Sequence, residues 1–146
     1  MISLYEELLK ILEEEKTLLE ALYKIVSEER DAIVALKGDE LEKIMRDKET
    51  VIMKLSLWEQ ERLKLLKKHD LSDKSLSEII SQIENTQDAQ RLKQIYSAMK
   101  TLLGATSEIQ KVNEQLIDRS IIHINTAIKF LESFGIAPKQ SLSREA

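Results

Sequence analysis

The sequence predicts an all-α protein, an elongated antiparallel helical bundle of three long helices and one short helix. Its 146 residues include only three Gly and one Pro, the residues that most often interrupt helices. Charged residues make up 33% and hydrophobic residues 42%, and the hydrophobic ones recur at alternating steps of three and four. We expect one domain over residues 1–134, followed by a disordered tail over 135–146.

The first predicted helix covers residues 2–36, which contain no helix breaker. It carries two adjacent apolar rows with a seven-residue period, wider than the seam of a dimeric coiled coil, so we expect it to contact two neighbouring helices. Glu15 and Glu29 fall within the seam, and we predict that they pair with basic side chains across the bundle. The rows are Tyr5, Leu12, Leu19, Val26 and Ile33, and Leu4, Ile11, Leu18, Ile25 and Ala32.

A short turn at Lys37-Gly38-Asp39 predicts an antiparallel return. We expect Gly38 to adopt the left-handed conformation that ends a helix, and Asp39 with Glu42 to form a capping box. The second helix should end near Lys67-Lys68-His69, where cations complement the helix dipole. Residues 2–70 are thus predicted to form a long helical hairpin.

The segment after the hairpin is predicted to hold a loop, a short helix and a long helix. The loop is DLSDKS, residues 70–75, and Ser75 with Glu78 signals the start of a short helix at about 75–84. A polar run at 84–88 precedes the last helix, which should span about 88–134. Gly104 weakens the middle of this helix, and we hypothesise that it lets the distal half move when a partner binds.

Composition and charge exclude several classes of function. The net charge of −4 has no basic cluster, so nucleic acid is not an expected partner. The N-terminus does not resemble a signal peptide, and the longest uncharged run near the apolar stretch is too short to span a bilayer. We therefore expect a cytoplasmic protein without membrane insertion. The chain has no Cys, so disulfides and thiolate metal sites are excluded.

No catalytic constellation is found, so we predict a protein that is not an enzyme and needs no metal or cofactor. Glu13-Glu14-Glu15 would fan out around a helix instead of converging on a cation. We interpret His69 as a solvated cap at a helix end. His123 is interpreted as a packing or interface residue, with pH sensing or ligation as the alternative.

The segment Asn113–Leu131 is the most informative part of the chain. Its apolar residues cover most of the helix circumference, which predicts burial on several sides. Packing against the hairpin, binding of a partner's helix, or formation of a homodimer would each supply that burial. The apolar residues are Leu116, Ile117, Ile121, Ile122, Ile124, Ile128 and Leu131.

Short motifs occur in a fixed order along residues 4–134. Glu29-Arg30-Asp31-Ala32 is followed by Asp39-Glu40-Leu41, then by Lys48 and Arg62, and finally by an N-x-x-L-I-x-x-S element at 113–120 that leads into the apolar helix. In this order and spacing the chain resembles FlgN-type flagellar export chaperones. Where many members carry a second Asn, one turn before the first, this chain has Gln110.

The resemblance implies a binding protein. Such chaperones bind the C-terminal helical regions of hook–filament junction proteins, prevent their premature assembly and escort them to the type III export apparatus, using their C-terminal helix. The alternative is a structural coiled-coil homodimer, or an adaptor without chaperone activity. The predicted partner-binding residues are Asn113, Leu116, Ile117, Ser120, Ile121, Ile124, Ile128 and Leu131.

Overall fold

The computed structural model describes residues 3–83 and 86–135, and within these residues every regular element is a helix. The all-α bundle predicted from the sequence is confirmed. The predicted disordered tail covers residues 135–146, and all of these except Gly135 lie outside the described part of the chain. The helices are α1 (Leu4–Val34), α2 (Gly38–Lys68), α3 (Leu76–Ser81) and α4 (Thr86–Ser133).

Helix α1 lies at the centre of the bundle. It starts at Ser3, whose side chain accepts a hydrogen bond from the backbone N–H of Glu6. It packs against both α2 and α4, which confirms the two neighbours predicted from its wide apolar stripe. Of the first predicted row all but Tyr5 are buried, whereas of the second row only Ala32 is buried and the others are half-buried. The buried residues of α1 are Leu8, Leu12, Glu15, Leu19, Val26, Glu29, Ala32 and Ile33.

The turn between α1 and α2 differs from the predicted one. Leu36, not Gly38, has the left-handed backbone, with φ 56°. The Leu36 N–H donates to the Ile33 carbonyl and the Lys37 N–H to the Ala32 carbonyl, the two bonds of a Schellman motif. The predicted left-handed cap at Gly38 is therefore wrong, because the helix ends two residues earlier.

Helix α2 begins at Gly38 itself, and its N-cap residue is Lys37, which makes no side-chain capping bond. The capping box predicted for Asp39 and Glu42 is wrong for this reason, since Asp39 already lies in the first turn. Its carboxylate is instead placed where it complements the positive end of the helix dipole.

The other end of α2 is closed by a second Schellman motif. Asp70, with φ 56°, donates its backbone N–H to the Lys67 carbonyl, and the Leu71 N–H donates to the Leu66 carbonyl at 2.8 Å. The predicted start of the short helix is confirmed, because the Ser75 hydroxyl accepts from the Glu78 N–H.

Helices α1 and α2 run antiparallel, as two ion pairs show. Glu15 pairs with Arg62, and Glu29 pairs with Lys48, so residue numbers fall along α2 as they rise along α1. Glu15 and Glu29 hold the positions predicted from the sequence to lie in the seam, and their predicted pairing with basic side chains across the bundle is confirmed.

Helix α4 runs parallel to α1 and packs on a different side of α1 from α2. Asn113 contacts α1 at Val26 and Glu29, whereas Ile95 lines a groove near the start of α1 together with Leu9. Within the described residues, no Cα atom of α2 lies within 8 Å of a Cα atom of α4. The two helices therefore flank α1 without packing backbone against backbone.

The hydrophobic core is concentrated where α1 starts, α2 ends and α4 starts. Short helix α3 closes this end of the bundle against α4. The opposite end holds the turn at 35–37 and the distal part of α4. The buried core residues are Leu8, Leu12, Leu19, Leu65, Leu66, Ile79, Ile80, Ile83, Ala89, Leu92 and Met99.

Helix α4 is continuous through Gly104. Its 48 residues correspond to about 72 Å at 1.5 Å per residue. Gly104 is exposed, and a Cβ atom added there would meet nothing within 4 Å. Neither a turn nor a close approach requires glycine at this position, so its role as a point of movement stays a prediction.

Candidate functional site

The distal part of α4 projects beyond the rest of the bundle. Asn113 lies level with Val26 and Glu29 of α1, and α1 ends at Val34. Because the two helices are parallel, the end of α1 lies level with about residue 120 of α4. The last 13 or so residues of α4, roughly 20 Å of helix, therefore extend past the α1–α2 turn.

The distal part of α4, from Ile117 onward, carries large exposed aliphatic side chains. Ile117 is 39% exposed, Ile121 and Ile124 are each 51% exposed, and Leu131 is 39% exposed. Leu116, Ser120 and Ile128 are half-buried. Packing against the hairpin, one of the three explanations drawn from the sequence, accounts for residues 113–120 but not for 121–131, because α1 ends too early to cover them.

The distal apolar residues continue the face of α4 that packs on α1. At 100° per residue, the packed row lies within about 60° of the direction of Asn113, and most of the large apolar side chains from Ile117 to Leu131 lie within about 80° on the same side. This face of α4 is therefore buried where α1 covers it and becomes exposed where α1 ends. The packed row is Leu92, Met99, Thr106 and Asn113.

We call this surface, formed by Ile117, Ile121, Ile124, Ile128 and Leu131, the distal stripe. At 100° per residue its members lie within an arc of about 80°. Ile122 and Phe130 lie outside that arc and are also exposed. Phe130 and Phe134, whose ring centroids are 4.9 Å apart, extend the apolar surface at the tip. Sequence reasoning did not include these two aromatic residues.

Asn113 anchors α4 to α1 at the base of the projection. Its side chain is fully buried, and its amide Nδ2 donates to the Val26 carbonyl at 3.0 Å and to Glu29 Oε1 at 2.7 Å. Asn113 is one of the predicted partner-binding residues, but the structure places it inside the bundle, where it fixes the position of α4. The amide also belongs to a larger polar network.

Glu29 is the centre of this network. Its carboxylate is nearly fully buried and lies 3.2 Å (Oε2) and 3.4 Å (Oε1) from Lys48 Nζ. Lys48 Nζ also donates to Gln110 Oε1. Gln110 therefore supplies an amide oxygen to the half-buried Lys48 ammonium.

Glu15 and Arg62 form a second buried ion pair nearer the core. Arg62 Nε lies 3.1 Å from Glu15 Oε1, yet neither of these buried atoms makes a hydrogen bond, so their attraction is chiefly electrostatic. Burial raises the pKa of the Glu15 carboxyl above its ordinary value of 4.5. The Arg62 guanidinium opposes that rise, and the neighbouring Glu59 carboxylate adds to it.

The raised pKa of Glu15 gives stability a defined pH dependence. From about pH 4.5 up to the raised pKa, the folded state holds the Glu15 proton more tightly than the unfolded state does. Glu15 therefore contributes stability that is present below pH 4.5 and is lost as pH rises through that window. Urea unfolding from pH 4 to 8 should show this contribution as a difference between wild type and Glu15→Gln, in which the position does not titrate.

The matched control is Glu14→Gln, which changes an exposed carboxylate one residue away. Its pH profile should follow that of the wild type. Identical slopes for wild type and Glu15→Gln between pH 4.5 and 7 would contradict the raised pKa.

Two further observations limit the chemistry of the described residues. No group of three His, Asp or Glu side chains within 3–83 and 86–135 could hold a metal ion. No helix in those ranges is long and apolar enough to cross a membrane. The interpretation of His123 concerns a side chain that lies outside what the structure describes.

Comparison with known proteins identifies one family. The family model described as FlgN protein matches residues 1–134, which includes all four helices. Neither the curated proteins nor the solved structures give a match.

Proposed function

Because the chain belongs to the FlgN family of flagellar export chaperones, we propose that it binds the C-terminal helical regions of hook–filament junction proteins. It keeps these clients from assembling prematurely and escorts them to the type III export apparatus. The observation that carries this proposal is the exposed distal stripe, whose residues from Ile121 onward lie on the part of α4 that projects beyond the bundle. We infer that the chain acts in the cytoplasm and that residues 1–134 form a single domain.

The distal stripe suits an amphipathic client helix. Its side chains follow steps of four and three, the spacing with which one helix packs against the apolar face of another. Burial stabilises such a complex by about 25 cal/mol per Å² of apolar surface, less the cost of ordering the client. A client whose own apolar face is covered in this way cannot use that face for assembly.

The rigid base of α4 favours this role. The amide of Asn113 and the Glu29–Lys48 pair fix α4 where it leaves α1. The projecting segment is thus presented in one direction, while Ile121 and Ile124 remain uncovered. Little of the binding energy is then needed to order the chaperone itself.

The proposal is tested by capture of hook–filament junction proteins from lysate on the immobilised chain. Wild type should retain them, and Ile117→Asp and Ile124→Asp should each lose them, because a client helix would bury the new carboxylate without a partner. The matched control is Leu57→Asp, at an exposed aliphatic position on α2. If both stripe variants fold normally and still retain the clients, the assignment of the site is wrong.

The second candidate is a structural homodimer or an adaptor without chaperone activity. The same exposed stripe favours it, since a second copy would also cover those side chains. Light scattering decides between the two. A stable dimer that ignores the junction proteins would support this candidate, and a monomer would exclude the homodimer.

A further inference from the structure

A cleft of about 400 Å³ opens between α2 and α4, above the middle of α1. Its walls are mainly apolar, with Leu55 on α2, Leu76 at the start of α3, and Tyr96, Met99 and Leu103 on α4. Its floor carries the Glu15–Arg62 ion pair. It lies on the opposite side of the Asn113 anchor from the distal stripe and shares no residue with it.

The cleft occupies the position that a fourth helix has in a four-helix bundle. Since α2 and α4 flank α1 without close backbone contact in the described chain, a channel is left between them. Met45 and Ile52 lie on the same face of α2 as Leu55, at steps of seven and three, and both are exposed. Leu103 is exposed on the facing helix. The channel thus offers large apolar side chains from both walls.

The two buried ion pairs provide an internal comparison. Glu15 and Glu29 are separated by two seven-residue repeats along α1, and Arg62 and Lys48 by the same distance along α2. At the Glu29 pair, two amides of α4 complete the polar network: Asn113 donates to the glutamate, and the Gln110 oxygen accepts from Lys48.

At the Glu15 pair, the equivalent residues of α4 carry no amide. The positions two repeats before Gln110 and Asn113 are Tyr96 and Met99, which line the cleft. Glu15 Oε1 and Arg62 Nε have no hydrogen-bond partner there, although the Glu15 side chain is more than nine-tenths buried. The Glu29–Lys48 pair therefore has amide partners within the chain, whereas the Glu15–Arg62 pair faces an open cleft.

We propose that the cleft is a second binding site, which takes an amphipathic helix of a partner protein with one Gln or Asn in the middle of its apolar face. The carboxamide N–H donates to the Glu15 carboxylate, and its oxygen accepts from the Arg62 guanidinium, as Asn113 and Gln110 do at the other pair. The flanking aliphatic side chains of the partner cover Leu55 and Leu103. The proposal does not depend on client binding at the distal stripe.

Charges at the rim of the cleft set the orientation of the partner helix. Glu59 lines the α2 side and Lys100 lines the α4 side. A bound helix with basic residues along one flank and acidic residues along the other meets complementary charges in only one orientation. Exchanging the two rim charges in the double variant Glu59→Lys, Lys100→Glu should therefore favour a peptide whose acidic and basic flanks are exchanged.

The test uses synthetic 18-residue helical peptides with aliphatic residues at heptad spacing and Gln, or Leu as the matched control, at the central apolar position. Binding to the full chain is measured by fluorescence anisotropy. We expect the Gln peptide to bind about tenfold more tightly than the Leu peptide, because hydrogen bonds to buried charges discriminate by that order. In the Glu15→Leu, Arg62→Met double variant the preference should reverse.

Two single variants locate the binding site in the cleft and distinguish it from the distal stripe. Leu103→Asp, at an exposed position compatible with folding, should abolish binding of both peptides. Ile124→Asp should lose junction-protein capture yet retain the Gln peptide, so either proposal can fail alone. Equal affinity of the two peptides for wild type, or peptide binding that survives Leu103→Asp, would overturn this one. A dimer that Leu103→Asp dissociates would assign the cleft to a second copy and overturn it as well.

Discussion

Replacing Lys48 by Met is expected to lower the free energy of unfolding by about 3 to 5 kcal/mol, the usual cost of removing one partner from a buried ion pair. The Glu29 carboxylate is 4% exposed and would keep only the amide of Asn113 as a partner. Gln110 would lose its donor at the same time. Urea unfolding at neutral pH measures the loss.

The matched control is Lys54→Met, which removes an exposed ammonium from the same helix. Its effect should stay within about 0.5 kcal/mol. The double variant Glu29→Leu, Lys48→Met should recover much of the loss, because it removes the unpaired charge along with its partner. Equal stabilities of Lys48→Met and Lys54→Met would contradict a stabilising role for the network.

Replacing both Ile121 and Ile124 by Asp is expected to weaken binding of a junction-protein C-terminal segment by at least about 100-fold. An apolar anchor at the centre of an interface is typically worth about 2 kcal/mol or more, and each 1.4 kcal/mol changes affinity tenfold. Stability should change little, because both side chains are half exposed in the free chain. Isothermal titration measures the affinity, and thermal unfolding checks the fold.

The control for this variant is Met53→Asp, Leu57→Asp, which places two carboxylates on exposed apolar positions of α2. It introduces the same change in net charge without touching α4. Its affinity should equal that of the wild type. A comparable loss in both double variants would indicate a general effect of charge and would count against the distal stripe.

The sequence predicts the bundle well, because seven-residue periodicity reports directly which side of a helix is buried. The two glutamates in the α1 seam could be expected to pair, since a buried carboxylate needs a partner. Helix ends were harder to predict. Leu36 and Asp70 both adopt left-handed backbones that glycine usually takes, and the hydrogen bonds of a Schellman motif offset the cost of about 1 to 2 kcal/mol.

Periodicity alone could not predict which part of residues 113–131 packs on α1 and which part projects beyond it. Periodicity identifies faces but does not say where a neighbouring helix ends. A usable signal was the length of the predicted helices, since the last exceeds the first by about 12 residues, or roughly 18 Å. The role of Asn113 also depends on tertiary structure, because only the approach of α4 to Val26 and Glu29 shows that its amide is buried.

Hydrogen exchange of the free and client-bound chain tests most directly whether the projecting end of α4 is the client-binding surface. In the free chain, amides of residues 121–133 should exchange faster than those of 89–113, because no other described element packs on them. Adding a junction-protein C-terminal segment should slow exchange in 121–133 and leave 89–113 nearly unchanged. Slowing confined to 89–113, with no change in 121–133, would contradict the account.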